Sequence, residues 1–344
     1  MFKAILCLVS IGFVMGAAIP AHAEGPLREK IKEAMQARIA EKIDGRSKRE
    51  TTTSDINMPI TSAGDYTFEI PQGDLTRKYL VHVPPSYHSN TPTPLILAFH
   101  GGGGDMNYMA RDEYYGLISK SNKEGFILVF PNGYSKFKSG IFATWDAGNC
   151  CGDARDKKID DVGFVRKIVS NISNQMNIDR NRIFATGMSN GGMMSYVLAC
   201  ELPDIFKAIA SVAGTDNTIT CSHKTPISIL HIHAKNDDHV LFNGGAGEGA
   251  FKDESKVTNF TSVPDTIARW VEYNKCNKSP ERVLTVNGAY CDLYSGCVNG
   301  TQVKLCVTDT GAHSWPGGYK PRGEAPSKAI SANDMLWDFF KNQK

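Results

Sequence analysis

Two rhythms of apolar residues alternate along this chain from Asp65 onward. Short runs dense in aliphatic and aromatic residues fall at Tyr66–Ile70, Lys78–Val83, Leu95–Phe99, Phe126–Phe130, Arg182–Met188, Ala208–Ala213, Ile227–His233 and Val303–Val307. Their length and their β-branched content predict buried strands. Between them the period lengthens. After Asp161, residues Val162, Val165, Ile168, Val169, Ile172 and Met176 keep helical spacing, and an aspartate at that start can cap free backbone N–H groups and favour the helix dipole. Met193 to Cys200 reads as helix. Another runs from Pro264 to about Lys275 with proline at an allowed first-turn position, and Ser331 caps a last amphipathic helix. The first two strands form a hairpin. The later ones alternate with helices, which predicts an α/β fold built on a doubly wound, mostly parallel sheet with helices on both faces. The stretch from Asn132 to Asp160 fits no element. Loops that long in a compact domain are often functional, and this one holds Trp145 and the pair Cys150-Cys151.

The chain before Asp65 has a different character. Lys3, the apolar run Ala4 to Ala18 and the small-x-small site Ala21-His22-Ala23 have the form of a secretory signal peptide over residues 1–23. The apolar run is too short for a comfortable membrane span, and no later segment approaches that length. Residues 24–64 form a charged helical segment and a linker. Leu27, Ile31, Met35, Ile39 and Ile43 recur every fourth residue, and Gly45 can end the helix. Such a helix serves as a solvated spacer or a surface-binding element. Residues 65–344 are the expected catalytic domain.

Charge and cysteines narrow the picture. The 344 residues carry a net charge of +2, which becomes +1 without Lys3. That balance argues against nucleic acid as a partner. Eight cysteines remain after Cys7 leaves with the leader, an even number that in an exported protein points to disulfides. Cys200 and Cys221 flank one expected strand and make a plausible pair. No cysteine spacing has the C-x-x-C form of a metal site, so no metal is expected.

The chemistry concentrates at Ile183-Phe184-Ala185-Thr186-Gly187-Met188-Ser189-Asn190-Gly191-Gly192. A strand runs into G-x-S-x-G and then into a helix, the context of a nucleophile elbow with Ser189 at its apex. Gly187 and Gly191 supply the small residues that so tight a turn needs. A serine hydroxyl is a weak nucleophile until a histidine takes its proton and a carboxylate orients that histidine. Asp237 and Asp238 lie just past the strand Ile229-Leu230-His231-Ile232-His233. His313 lies past the next strand in a glycine-flanked loop. Chain order and strand-end position favour Ser189, Asp237 and His313, with Asp238 as the alternative acid. His231 and His233 alternate with apolar residues inside their strand and read as packed or hydrogen-bonded. His239 follows the acid too closely to return across the sheet. An oxyanion needs preorganised N–H donors. These are expected from the backbone of Asn190, just after the nucleophile, and from the loop His100–Gly104 near Gly102. Trp145 and Trp315 are candidates to line an aromatic-accepting pocket, or serve as core.

These residues together resemble the esterase family that joins polyhydroxybutyrate depolymerases with feruloyl and acetylxylan esterases. The resemblance rests on His100-Gly101-Gly102-Gly103-Gly104; Trp145 with Gly148 and Cys150-Cys151-Gly152; Asp160-Asp161-Val162-Gly163-Phe164; the Ser189 motif through Met194; Leu230 to His233; Asn243-Gly244-Gly245; and Gly311-Ala312-His313-Ser314-Trp315-Pro316-Gly317-Gly318. It covers the chain from about Asp65 onward. It implies an α/β-hydrolase with a Ser-Asp-His triad, secreted or periplasmic, needing no cofactor and acting on an ester substrate, polymeric or small. The family's acid stands four residues after the second histidine of the strand, which here is Asp237. Asp238 and His239 depart from the proline and hydrophobic residues usual after that acid, which leaves Asp238 in play. The charged helix before residue 50 lies outside the resemblance. Two other readings are a serine peptidase on the same fold and a non-catalytic surface-binding protein. The first commonly carries a propeller or helical cap, for which no insertion here is long enough. The second would be expected to lose a member of the triad.

Overall fold

The computed structural model describes residues 58–221, 225–250 and 259–343, together with the backbone of residues 52–53. The expected leader and the charged helix lie outside the described residues.

Eleven strands form a single sheet in the order β1-β2-β3-β5-β4-β6-β7-β8-β11-β10-β9. They are β1 (Thr52–Thr53), β2 (Gly64–Gln72), β3 (Leu75–Val83), β4 (Thr93–Phe99), β5 (Ile127–Pro131), β6 (Ile178–Met188), β7 (Ala208–Val212), β8 (Ser228–Ala234), β9 (Glu281–Val286), β10 (Ala289–Tyr294) and β11 (Val303–Thr308). The central six, β5-β4-β6-β7-β8-β11, are all parallel. The hairpin β2–β3 adds to one side antiparallel, and β10 and β9 add to the other. The chain lays down β4 and β5 in one direction, then crosses back to place β6 on the far side of β4. Strand order reverses between β4 and β6, the point at which open α/β sheets place their ligand sites, at the carboxyl edge.

Period-two alternation divides the core into two layers. Leu95, Leu97 and Phe99 of β4 join Phe164, Ile168 and Trp270 on one face. Ile96 and Ala98 point the other way, toward Leu117, Leu336 and Phe340. The helices Asp161–Gln175, Asn190–Glu201 and Val263–Tyr273 cover the first face, and Leu117–Glu124 and Ala332–Phe340 the second. Both faces of the parallel strands are therefore apolar, which explains why they read as continuous hydrophobic runs.

Several details differ from expectation. Asp160, not Asp161, caps the long helix, its carboxylate accepting the Gly163 N–H at 2.7 Å. Asp161 is buried instead, paired with Arg77 at 2.6 Å and accepting the Asp146 N–H at 2.8 Å. Ser262 caps the helix Val263–Tyr273 and Ser331 the last one. The packed domain begins before Asp65: Ile60 is buried and donates its N–H to Gln175 O at 3.1 Å. The hairpin β9–β10 has no counterpart in the sequence reading, because β9 sits at the sheet edge with Val283 and Val286 exposed. Cysteines pair as Cys150–Cys151, Cys200–Cys221, Cys276–Cys297 and Cys291–Cys306. Among the described residues no helix is long and apolar enough to cross a membrane.

Candidate active site

Ser189 sits where β6 turns into the helix Asn190–Glu201, with φ 57° and ψ −124°. A non-glycine residue in this region costs on the order of 1–3 kcal/mol and persists only where its surroundings hold it. Here they do. The Ser189 N–H donates to Val212 O at 2.8 Å, and its carbonyl accepts the Met193 N–H at 2.9 Å. The turn leaves no room for side chains: a Cβ on Gly187 would stand 2.4 Å from Gly191 O, one on Gly191 2.2 Å from Phe99 O, and one on Gly214 2.3 Å from Ser189 O. Gly214 is a third packing glycine of the elbow. Distant in sequence, it gives no local signal.

The glycine loop after β4 lies directly against the elbow. A Cβ on Gly101 would be 3.4 Å from Ser189 Cβ. Gly103 donates its N–H to Ala143 O and Gly104 to Gly101 O, at 2.8 and 2.9 Å, so both are committed within the protein. Asn190 opens its helix, where the first N–H groups have no intrahelical partner. The Asn190 side chain acts elsewhere. Its Oδ1 accepts the Trp145 N–H at 2.8 Å and its Nδ2 donates to Trp145 O at 3.1 Å. It thereby clamps the long 132–160 segment to the elbow.

Trp145 is fully buried, with its indole N–H on His100 O at 2.9 Å and its ring against Phe99 and His100. His100 accepts the Gly133 N–H on Nε2 at 2.9 Å. Trp315 is also buried, its N–H on Asn333 Oδ1 at 3.1 Å. Both tryptophans act from beneath the site, bracing its loops, rather than presenting a face to a ligand.

His313 and Asp237 come together at the carboxyl ends of β11 and β8, on the same sheet edge as Ser189. His313 Nδ1 lies 2.9 Å from Asp237 Oδ2 and 3.1 Å from Oδ1. Asp237 Oδ1 also accepts the N–H groups of His239 and Val240, at 2.8 and 2.9 Å. The pairing falls on Asp237 and not Asp238, whose carboxylate holds His239 Nδ1 at 2.8 Å. Burial by itself would raise the Asp237 pKa. The His313 charge and the hydrogen bonds from His233 and His313 overcome burial and hold it far below the ordinary carboxylate value. His239 stacks on His313 with centroids 4.5 Å apart and planes 13° from parallel, a contact that the departure Asp238-His239 creates. Asp237, His239 and His313 bring donor atoms within 4.8 Å of one another. Their hydrogen bonding accounts for the cluster, since Asp237 and His313 Nδ1 are spent on each other.

Half-buried Asp146, next to Trp145, is another perturbed carboxylate. Burial, then the neighbouring Asp161 charge, pushes its pKa up to about 6. A carboxyl raised in the fold binds more protons folded than unfolded, so stability falls as pH rises from the ordinary carboxylate value through about 6. Asp146→Asn is therefore expected to raise Tm at pH 8 while leaving it nearly unchanged at pH 4. Thermal unfolding at the two pH values checks this, and an equal shift at both would refute it. A cleft of about 550 Å³, lined by Arg77, Lys78, Asn132, Tyr134, Phe137 and Lys138 among others, lies farther along the same edge and does not include Ser189.

Residues 74–292 match the family model "Esterase: Putative esterase". The chain belongs to this esterase family. It is 27% identical over 270 residues to feruloyl esterase B of Piromyces equi, covering 77% of this chain and 45% of that protein. It is 26% identical over 276 residues to feruloyl esterase D of Neurospora crassa, covering 77% and 81%. The chain thus spans less than half the length of the Piromyces relative. Among solved structures the acetyl xylan esterase from Aspergillus awamori superposes with a TM-score of 0.54 at 14% identity, over 80% of this chain and 98% of that one. The chain thus shares the α/β-hydrolase fold with that enzyme.

Proposed function

We propose that this chain is a secreted serine carboxylesterase that works through an acyl-enzyme. The observation that carries the reading is the His313–Asp237 pair, 2.9 Å apart, on the sheet edge where Ser189 is held at φ 57°. Asp237 accepts from His313 Nδ1, so the neutral ring leaves Nε2 as the base. Ser189 Oγ attacks the ester carbonyl as His313 takes its proton, and the N–H groups of Asn190 and Gly102 receive the oxyanion. His313 then protonates the departing alcohol, and water releases the acid by the same steps in reverse. No cofactor enters this chemistry. The leader-like residues 1–23 and the paired cysteines support export. The names of the feruloyl and acetylxylan esterase relatives support an aromatic or acetyl ester on a plant polysaccharide as substrate.

A panel of p-nitrophenyl acetate, methyl ferulate, acetylated xylan and 3-hydroxybutyrate oligomers tests this. Hydrolysis of p-nitrophenyl acetate together with methyl ferulate or acetylated xylan is expected. Cleavage of the hydroxybutyrate oligomers alone would move the substrate to polyesters, and inertness toward all four would remove the esterase reading.

A further inference from the structure

A chain of buried hydrogen bonds runs from Asp237 back into the core. Tyr196 Oη lies 2.8 Å from His231 Nδ1, and His231 Nε2 lies 3.1 Å from His233 Nδ1. His233 Nε2 lies 2.8 Å from Val240 O and 3.3 Å from Asp237 Oδ2. Tyr196, His231 and His233 are each no more than 1% exposed. A backbone carbonyl can only accept, so His233 Nε2 carries a hydrogen. Its Nδ1 in the neutral ring is then an acceptor and calls for the N–H of His231 Nε2. That leaves His231 Nδ1 as an acceptor for the Tyr196 hydroxyl. With His233 neutral, that one carbonyl sets the direction of every bond in the chain.

The consequence lies at Asp237, which two imidazoles face: His313 at 2.9 Å and His233 at 3.3 Å. A carboxylate so placed would stabilise a proton on either ring. A proton on His233 would set a permanent cation beside Asp237 and weaken its hold on the imidazolium that forms at His313. We propose that Tyr196 and His231 are positioning residues that hold His233 neutral with its hydrogen on Nε2, reserving the Asp237 charge for His313. His233 has one lone pair on which a proton could land, on Nδ1, and the His231 N–H already occupies it. This rests on reading Asp237 and His313 as triad members.

Apolar and hydrogen-bonding groups enclose His233 on its other sides. His231 lies against it on its own strand, and burial holds the His231 pKa well below the usual value. Tyr196 stands beyond His231, from the helix Asn190–Glu201. Phe242 presents an apolar ring at 6.0 Å. Asp237 comes from the loop after β8, with His313 beyond it from the loop after β11. Farther out, Asp216 and Arg269 pair with each other at 3.2 Å, and Asp216 also holds the Trp270 N–H.

Histidine side-chain ¹⁵N NMR of the whole chain between pH 5 and 9 reads the tautomers directly, with His233→Gln assigning the His233 signals. His233 is expected as the neutral Nε2–H form throughout. A His233 that titrates in this range, or carries its hydrogen on Nδ1, would overturn the proposal. His231→Leu removes the N–H that fills Nδ1. His233 should then titrate, and the acid limb of the kcat profile should gain a second ionisation. The resulting loss is about tenfold at pH 6 with KM unchanged, the scale of one perturbed ion pair. His231→Gln, which restores an N–H donor, should return the single-ionisation limb. A uniform loss at all pH values in His231→Leu would mean a purely structural role and sink the idea. If the leucine variant does not fold, the wild-type tautomers still decide. If Asp237→Asn keeps full activity, the triad reading fails whatever the NMR shows; if it is inactive while wild-type His233 titrates, only the present proposal fails.

Discussion

Ser189→Ala is expected to remove ester hydrolysis almost completely, lowering kcat by roughly 10⁶-fold while the protein stays folded. The size of the effect follows from how the site is built. The backbone at Ser189 is held at φ 57° by flanking hydrogen bonds and by three glycines that leave no space for a Cβ. Removing one oxygen disturbs none of these contacts. Among the described residues, three neighbouring serine hydroxyls are turned inward and committed to carbonyls. Ser195 donates to Gly191 O at 3.1 Å, Ser211 to Gly214 O at 2.5 Å and Ser314 to Gly311 O at 2.6 Å. What remains should be the activity of substrate binding and the oxyanion donors, about 10³-fold over water. Steady-state kinetics on p-nitrophenyl acetate, with circular dichroism to confirm the fold, measures this. A residual rate within a hundredfold of wild type would mean another group attacks.

The second large effect separates two adjacent carboxylates. Asp237→Asn should lower kcat by about 10⁴-fold. An amide at this position offers an N–H where His313 Nδ1–H needs an acceptor, favouring the wrong tautomer, and it leaves the imidazolium without a counter-charge. Asp238→Asn should cost less than about tenfold, because Asp238 contacts His239 and leaves the His313 contact untouched. The same carboxylate carries a stability consequence. Asp237 is held ionised by the fold, so its contribution is present at pH values above its ordinary pKa. It is lost only as pH falls toward the depressed folded value. Equal losses in the two variants, or a larger one in Asp238→Asn, would transfer the acid's role.

The parts of this architecture visible in the chain are those fixed locally. The run Ile183 to Gly192 specifies its own strand, turn and helix, because the turn excludes side chains at Gly187 and Gly191 wherever the rest of the protein lies. Asp237 and His313 are readable as strand-end residues in chain order, and the parallel sheet then brings them to one edge. The remainder depends on pairings across long sequence distances. The Asn190 clamp on the Trp145 backbone, the Gly214 contact with Ser189 O and the Arg77–Asp161 ion pair join segments that carry no local mark of one another. His231 and His233 are packed strand residues, as their alternation with apolar neighbours implies. The direction of their hydrogen bonds depends on Val240 O, which only the folded loop supplies. The edge strand β9 leaves no mark in the pattern because its exposed valines give no alternation between buried and solvent-facing positions.

The most direct measurement is to treat the wild-type protein with a fluorophosphonate and locate the adduct by peptide mass spectrometry. One label per chain on Ser189, with p-nitrophenyl acetate hydrolysis lost in proportion to labelling and no label on Ser189→Ala, is the expected result. Labelling at another residue, or hydrolysis that persists in fully labelled protein, would contradict Ser189 as the nucleophile.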